Sequence, residues 1–287
     1  MKIDLHTHTT ASDGKLTPTE LIDLAIKRGI KAIAITDHNN INGIEEAVKY
    51  SQGKNIEFIP GIEFSANQGE LDKEIHIVGL FIDYDNGGMI KLIERQREFG
   101  IIASKRIIKR LNELNYEITF EECVNENKRE TFGRPIIAQI LMRKYSQFKD
   151  RKQVFNELLG KEGKAFFKNE SASIEEIINA VHASRGIVIL AHPAYLNNAE
   201  AVIKEFIKLR GDGLEVEYSY DSFGEEGQKL KEKFRKIAEE NNLIISGGTD
   251  FHEKTEKADL GDFGISELEY QKMKEYVKNS SKKRSTE

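Results

Sequence analysis

The chain alternates short apolar runs, rich in β-branched residues, with longer segments whose apolar residues recur at helical spacing. The apolar runs predict strands near the start of the chain, at 31–36, 57–64 and 74–82, from Ile187, at 214–218 and from Ile244. The helical segments are 17–29, 42–51, 173–184, 199–209 and 225–241. Capping-box patterns mark two helix starts, Thr17 with Glu20 and Ser173 with Glu176. This alternation predicts a parallel sheet or barrel.

The alternation stops after the turn-forming residues 83–88, and the sequence from about Met89 to Gly160 reads almost entirely as helix. We therefore predict a small helical domain, residues 87–160, inserted into a barrel made of residues 1–86 and 161–277. The last ten residues, 278–287, are rich in serine and lysine and predict a disordered tail.

The composition of the chain limits which partners and which cellular compartment are expected for it. The 287 residues are 39% hydrophobic and 32% charged with a net charge of −5, which is typical of a globular protein and disfavours long duplex nucleic acid as a partner. Cys123 is the only cysteine, so no intrachain disulfide can form. No apolar run has the roughly 20 residues of a membrane span, and the chain enters a strand where a signal peptide would stand. A cytoplasmic protein without membrane contact, monomeric by default, is expected.

Six of the seven histidines lie in short clusters with carboxylates, at or near the ends of the strand-like runs. The nine candidate metal ligands are His6, His8, Asp13, His38, Glu63, His76, His192, Asp250 and His252. Imidazole and carboxylate together suit Zn²⁺, Mn²⁺ or Fe²⁺, and barrels gather such residues at the carboxyl ends of their strands. His76 is an exception because it lies inside its run. His182 flanks the apolar stripe of helix 173–184 and is assigned to the helix surface instead.

Nine ligands are enough for three divalent cations. With only three carboxylates among them, such a site would keep an excess of positive charge and attract a phosphate. Adjacent metals generate hydroxide from water near neutral pH, so phosphoester hydrolysis by in-line attack is expected, with Asp13, Glu63, His192 and Asp250 as the catalytic centre. No serine or cysteine nucleophile lies in the clusters, so no phosphoenzyme is expected.

The clusters, in their order along the chain, resemble the motifs of the PHP (polymerase and histidinol phosphatase) superfamily. The matching segments are His6-Thr7-His8, Asp13, Thr36-Asp37-His38, Pro60-Gly61-Ile62-Glu63, His76, Ala191-His192-Pro193 and Gly247-Gly248-Thr249-Asp250-Phe251-His252. The resemblance runs from Met1 to about Ser266 and is specific as an ordered set. It implies an α/β fold, a distorted (β/α)₇ TIM-like barrel that binds three metals. Because of its inserted helical domain, the chain most resembles the branch of the superfamily that contains nucleoside 3′,5′-bisphosphate phosphatases and 5′-to-3′ exoribonucleases of short RNA.

The resemblance also implies how the ligands divide. The three implied sets are His6, His8, Glu63 and Asp250; Asp13, His38 and His252; and Glu63, His76 and His192. Asp37 would hydrogen-bond an imidazole rather than bind metal, or simply serve the strand end. Within Thr131-Phe132-Gly133-Arg134-Pro135, Arg134 resembles the family's phosphate-binding arginine and is expected to join the catalytic residues. Ile136 follows where many relatives carry histidine. Lys164 and Glu217 are weaker substrate-binding candidates.

We therefore expect a metal-dependent phosphoesterase that hydrolyses a small phosphorylated nucleotide. Its substrate would be a nucleoside 3′,5′-bisphosphate, giving the 5′-monophosphate and phosphate, or a short 5′-phosphorylated RNA. Three alternatives stay open at this point: a histidinol-phosphate phosphatase, a binuclear amidohydrolase, and a non-catalytic metal-binding regulatory barrel. The inserted domain disfavours the first and the lack of a metal-bridging lysine disfavours the second. Retention of all nine ligands disfavours the third.

Overall fold

The computed structural model describes residues 2–67, 75–127, 131–167, 170–254 and 259–284. The chain divides into two compact units. The first, which we call the barrel unit, comprises Met1–Ile93 and Ala172–Glu287, and the second, the helical unit, comprises Glu94–Ser171.

Seven strands form one sheet in the order in which they occur along the chain. They are β1 (Lys2–Asp4), β2 (Ile30–Ile35), β3 (Glu57–Ala66), β4 (Ile75–Leu80), β5 (Ile187–Leu190), β6 (Gly213–Glu217) and β7 (Ile244–Gly247). All neighbouring strands pair in parallel except β4, which runs antiparallel to both β3 and β5. The expectation of a wholly parallel sheet is therefore wrong for β4. Because β4 is reversed, His76 at its start lies at the same end of the sheet as the carboxyl ends of its neighbours, and the exception noted from the sequence disappears.

Ten α-helices accompany the strands in the part of the chain that the structure describes. They are α1 (Pro18–Lys27), α2 (Ile44–Ser51), α3 (Gly87–Glu113), α4 (Phe120–Asn127), α5 (Arg134–Lys144), α6 (Arg151–Val154), α7 (Ile174–Ala183), α8 (Ala199–Lys208), α9 (Glu225–Glu240) and α10 (Glu267–Arg284). Both predicted capping boxes are present, with Thr17 and Ser173 accepting from the backbone of Glu20 and Glu176. The side chains of the two glutamates accept from the cap backbones in return.

The chain segments that follow β1 and β7 join the two edges of the sheet and close the barrel. The amide of Leu5 donates to the Gly247 carbonyl at 3.1 Å, and Asp250 N donates to His6 O at 2.8 Å. The buried carboxylate of Asp4 accepts two further bonds from Thr249, from its amide at 3.0 Å and from its hydroxyl at 2.6 Å. The fold is thus the predicted distorted barrel, and its closure brings the β1 and β7 ends, both rich in candidate ligands, against each other.

The helical unit has its own apolar core, made by α3, α4, α5 and the turns up to residue 165. Its buried members include Ile107, Leu111, Cys123, Ile137, Ile140, Leu141, Phe148, Leu158 and Ala165. A turn of π-helix, Phe155–Leu159, continues α6. This unit spans 94–171 rather than the predicted 87–160. The boundaries differ because α3 starts with Met89 and Leu92 in the barrel core, whereas Ala165 packs in the helical core.

The end of the chain differs from the prediction as well. Residues 278–284 belong to α10, so a disordered tail starting at Lys278 is wrong for them, and residues 285–287 lie outside the described part. Apolar Tyr270 and Met273 of α10 are fully buried, which anchors this helix to the barrel. Among the described residues, no helix is both long enough and apolar enough to span a membrane.

Candidate metal centre

Candidate ligands from six of the seven strands lie together at one end of the barrel. His6 and His8 follow β1 and His38 follows β2, where it forms a parallel bridge with Glu63 of β3. His76 starts β4, His192 follows β5, and Asp250 and His252 follow β7. Parallel strands place their carboxyl ends at one edge, and the reversal of β4 adds its amino end to the same edge. Residues more than 240 positions apart in the chain therefore lie in one cluster.

Glu63 is the centre of this cluster. Its carboxylate is fully buried, and its two oxygens face five imidazole rings. Oε1 lies 3.3 Å from His6 Nε2, 3.1 Å from His76 Nδ1 and 3.2 Å from His192 Nε2, while Oε2 lies 3.4 Å from His8 Nε2 and 2.9 Å from His38 Nδ1. One carboxylate can thus bridge several ligand sets, as the ligand sets implied by the family resemblance require of Glu63.

Four buried atoms that face one another have no hydrogen bond of acceptable geometry: His6 Nε2, His8 Nε2, Glu63 Oε2 and Asp250 Oδ1. A buried polar atom left unpaired costs about 1–3 kcal/mol, so four together call for a common partner. These four residues also bring one ligand atom each within 4.8 Å of one another. They are the first ligand set that the family resemblance implies. Their nitrogen and oxygen donors fit a divalent cation.

A second set lies beside the first and shares His8 with it. It consists of His8, Asp13, His38 and His252, and therefore contains the implied second set with one histidine added. The Asp13 carboxylate is 57% exposed and lies 3.2 Å from His252 Nε2. This side of the cluster is accordingly exposed to solvent.

The third set differs in one member from the implied one. The structure groups His38 with Glu63 and His76, where the resemblance implies His192. His192 nevertheless belongs to the cluster, because its Nε2 lies 3.3 Å from His76 Nδ1 and 3.2 Å from Glu63 Oε1. The structure therefore brings together all nine predicted ligands.

Charges within the cluster shift the pKa values of its members in opposite directions. Burial would raise the pKa of Glu63, but the charges of His38, His76 and His6 outweigh burial and hold this pKa well below its usual range. Burial likewise opposes the ionised form of His38, yet Glu63 raises the pKa of this imidazole to about 9. In the metal-free protein, protons on histidines thus balance the carboxylates, and cations must displace those protons when they bind.

Glu215 of β6 is a site residue that the sequence analysis missed. Its carboxylate is buried; Oε1 lies 2.9 Å from His6 Nδ1, and Oε2 accepts from the His192 amide at 2.8 Å. By accepting from Nδ1–H, Glu215 fixes the His6 tautomer whose Nε2 is free to bind a cation. It also holds the His192 backbone, whose φ of 28° is a left-handed conformation that L-residues adopt at a cost. The sequence did contain one indication of this role, because Glu215 is a charged residue within the otherwise apolar run 213–216.

Among the described residues, the Asp37 carboxylate bonds to Thr9 and Ser12 rather than to an imidazole. It accepts from the amide and hydroxyl of Thr9, at 2.8 and 2.6 Å, and from the amide of Ser12 at 3.1 Å. The predicted hydrogen bond to a histidine is therefore wrong, and the simpler role at the strand end is the one observed. Asp37 holds the turn at 9–12, which connects His8 to Asp13.

The three substrate-binding candidates have the following surroundings within their own units. Arg134 begins α5 in the helical unit, donates to the Leu159 carbonyl at 3.2 Å and lies 5.8 Å from the centre of the Phe166 ring. Lys164, in the same unit, has an exposed side chain. Glu217 forms ion pairs with Lys231 and Arg235 of α9, which account for its charge. These ion pairs give Glu217 a structural role and do not support the suggested contact with the substrate.

Tyr218 contacts a candidate ligand, whereas His182 pairs with a residue outside the ligand sets. The hydroxyl of Tyr218, which follows β6, donates to Asp250 Oδ2 at 2.9 Å and leaves Oδ1 turned to the cluster. Excluded from the site by sequence, His182 pairs with Asp212 at 2.7 Å and belongs to none of the three ligand sets.

Comparison with known proteins shows which family the chain resembles. The family model described as PHP domain matches residues 4–249. A 5′-3′ exoribonuclease of Haemophilus influenzae is 32% identical over 260 residues, covering 88% of this chain and 90% of the relative. A 3′,5′-nucleoside bisphosphate phosphatase of Chromobacterium violaceum is 29% identical over 255 residues, covering 87% of each.

A solved structure gives the same result for the fold. It is that of a protein named as an amidohydrolase from Chromobacterium violaceum, with bound sulfate and no metal, and it aligns with a TM-score of 0.79 and 27% identity over 96% of both chains. The family predicted from the ordered motifs is confirmed. This chain belongs to the PHP domain family.

Proposed function

We propose that this protein is a metal-dependent phosphoesterase that hydrolyses a small phosphorylated nucleotide. The substrate is a nucleoside 3′,5′-bisphosphate, which gives a nucleoside 5′-monophosphate and phosphate, or a short 5′-phosphorylated RNA. The two relatives named as an exoribonuclease and a bisphosphate phosphatase agree with the enzyme class that the sequence predicted. The observation that carries the proposal is the buried group of four ligand atoms without hydrogen bonds, linked through Glu63 to the remaining histidines.

The ligand sets are suited to three divalent cations, Mn²⁺, Fe²⁺ or Zn²⁺. Cations bound there would activate water near neutral pH and neutralise phosphoryl oxygens. The protein's own part is to hold the ligands in place: Glu63 joins the sets, and Glu215 orients His6 and His192. Tyr218 keeps one oxygen of Asp250 occupied, so that the other is directed at the cluster. The exposed side of Asp13 leaves an approach for the phosphate.

The distribution of charge favours an anionic substrate. Residues 94–171 of the helical unit contain 17 lysines and arginines against 12 acidic residues, a net charge of +5, while the rest of the chain carries −10. Within this unit, Arg134 is proposed as the phosphate-binding residue, because its planar guanidinium can donate to two phosphate oxygens at once. Lys164 is the next candidate for this role if Arg134 does not bind the phosphate. The overall negative charge disfavours long duplexes.

The amidohydrolase name carried by one structural neighbour does not displace the phosphoesterase proposal. That neighbour contains sulfate, a tetrahedral oxyanion like phosphate. In the present protein the carboxylate of Glu63 belongs to two of the ligand sets and faces five imidazoles.

A phosphate-release screen in Mn²⁺ tests the proposal. The substrates are nucleoside 3′,5′-bisphosphates, short 5′-phosphorylated RNA, histidinol phosphate, ribose phosphates and long duplex DNA; mononucleotide release is followed for the last and for RNA. We expect the bisphosphates or short RNA to be turned over fastest and duplex DNA slowest. Histidinol phosphate turned over faster than every nucleotide would replace this proposal with the alternative. Absence of hydrolysis of every compound would favour a non-catalytic barrel.

A further inference from the structure

An exposed aromatic ring lies directly beside the metal centre. Tyr195 is 50% exposed, although most large apolar side chains of the described residues are buried or half-buried. It ends a single 3₁₀ turn, Pro193–Tyr195, that begins immediately after the candidate ligand His192. Such a turn places positions i and i+3 on the same side, and the rings of Tyr195 and His192 lie 6.1 Å apart between centres. The position of Tyr195 is therefore fixed by the same backbone that positions His192.

The ring of Tyr195 is held in place by its neighbours. Its hydroxyl lies 2.9 Å from the Ser222 hydroxyl, and Leu196, the next residue in the chain, is buried. The ring packs against Phe223 at 5.1 Å and, edge to face, against Tyr218 at 5.9 Å. An aromatic ring that is both exposed and fixed loses little conformational freedom when a ligand packs on it.

Tyr218 connects this aromatic surface to the ligands a second time. Its hydroxyl donates to Asp250, and its ring lies 5.5 Å from that of His192. Tyr195, Tyr218 and Phe223, which we call the aromatic platform, thus adjoin two candidate metal ligands within the barrel unit. A group bound on the platform would therefore lie beside the candidate metal centre.

We propose that the aromatic platform binds the nucleobase of the substrate, with Tyr195 stacking on its face. This proposal rests on the proposed function, since a nucleobase is present only if the substrate is a nucleotide. Stacking on an aromatic ring tolerates every base because each has a π face. The platform therefore favours base-bearing phosphates over base-free sugar phosphates and discriminates little among the four bases.

Two substitutions separate stacking from other roles of Tyr195. Tyr195→Leu keeps much of the volume and removes the π face, whereas Tyr195→Phe keeps the ring and removes the hydroxyl. Tyr50→Leu is the matched control, because Tyr50 is a partly exposed tyrosine of α2 whose hydroxyl donates to Asp23. We expect Tyr195→Leu to raise KM for nucleoside 3′,5′-bisphosphates about 10-fold, the size of one lost base–aromatic stack, and to leave hydrolysis of ribose 3,5-bisphosphate, the same substrate without its base, unchanged. Tyr195→Phe and Tyr50→Leu should stay within about twofold of wild type.

A binding measurement gives a readout independent of turnover. The probe is 2-aminopurine riboside 5′-monophosphate, whose fluorescence falls when its base stacks, titrated with protein in Mn²⁺. Wild type and Tyr195→Phe should quench the probe, and Tyr195→Leu should bind it about 10-fold more weakly. Equal quenching by Tyr195→Leu and wild type would overturn the platform, as would an equal rise in KM for base-bearing and base-free substrates. If wild type quenches the probe but releases no phosphate from any nucleotide, the proposed function fails while the platform stands.

Discussion

Glu215 offers the sharpest test of how the metal centre is built. Glu215→Gln preserves the shape of the side chain but not its two acceptors. The glutamine oxygen can accept from His6 Nδ1–H or from the His192 amide, but the NH₂ group then faces the other donor. If the NH₂ instead donates to Nδ1, the proton of His6 moves to Nε2, the atom that is needed for the cation.

Either arrangement has a cost that can be estimated. One buried donor left without an acceptor costs about 1–3 kcal/mol, and loss of an acceptor behind a metal-bound histidine typically weakens metal binding about 10–100-fold. We therefore expect Glu215→Gln to weaken Mn²⁺ binding by about 10–100-fold. Hydrolysis of a nucleoside 3′,5′-bisphosphate should fall in parallel at limiting Mn²⁺ and recover in part at saturating Mn²⁺.

The assay is competition of chelator-stripped protein with a metal-sensitive dye for Mn²⁺. Glu217→Gln is the matched control: it lies two residues along the same strand, but pairs with Lys231 and Arg235. This control should bind Mn²⁺ like wild type. Wild-type Mn²⁺ affinity in Glu215→Gln, in protein whose metal-free thermal unfolding is also unchanged, would refute the role given to Glu215.

Four further outcomes are expected. Glu63→Ala should lose most of the bound metal and all measurable turnover, because five imidazoles face this carboxylate, whereas His182→Ala should keep wild-type metal content by elemental analysis. Arg134→Ala should retain its metals and lose about 10²-fold in kcat/KM, the effect of one charge-assisted bond to phosphate; unchanged kinetics would direct attention to Lys164. In the metal-free protein, the raised pKa of His38 stabilises the folded state. This stabilisation is complete below pH 6.5 and is lost as the pH rises through about 9, which is measurable as a falling Tm. Mn²⁺ affinity should show the reverse trend and rise over the same interval, since protons and metal compete.

The ligands of the site were readable from sequence for a physical reason. Histidines and carboxylates placed directly after apolar runs have few roles other than convergence at one edge of a sheet, and the structure does bring His6, His38, His192 and Asp250 together. Helix starts were equally readable, because a capping box such as that of Thr17 is a local pattern.

Features that depend on pairing between strands could not be read in this way. An antiparallel strand such as β4 has the same apolar run as a parallel one, so its direction became visible only through its register with β3 and β5. Glu215 and Glu217 look equivalent along β6, but a register shift between them turns one to His6 and the other to α9. The limit of the inserted domain was missed because α3 is continuous across it.

The central claim is that hydrolysis of a small nucleotide depends on the metals of this cluster. The most direct measurement is phosphate release from a nucleoside 3′,5′-bisphosphate by chelator-stripped protein titrated with Mn²⁺, with bound metal counted in the same samples. The account predicts no release without metal and a return of activity as occupancy rises to close to three metals per chain. Release that persists in stripped protein, or full activity with one metal bound, would contradict it.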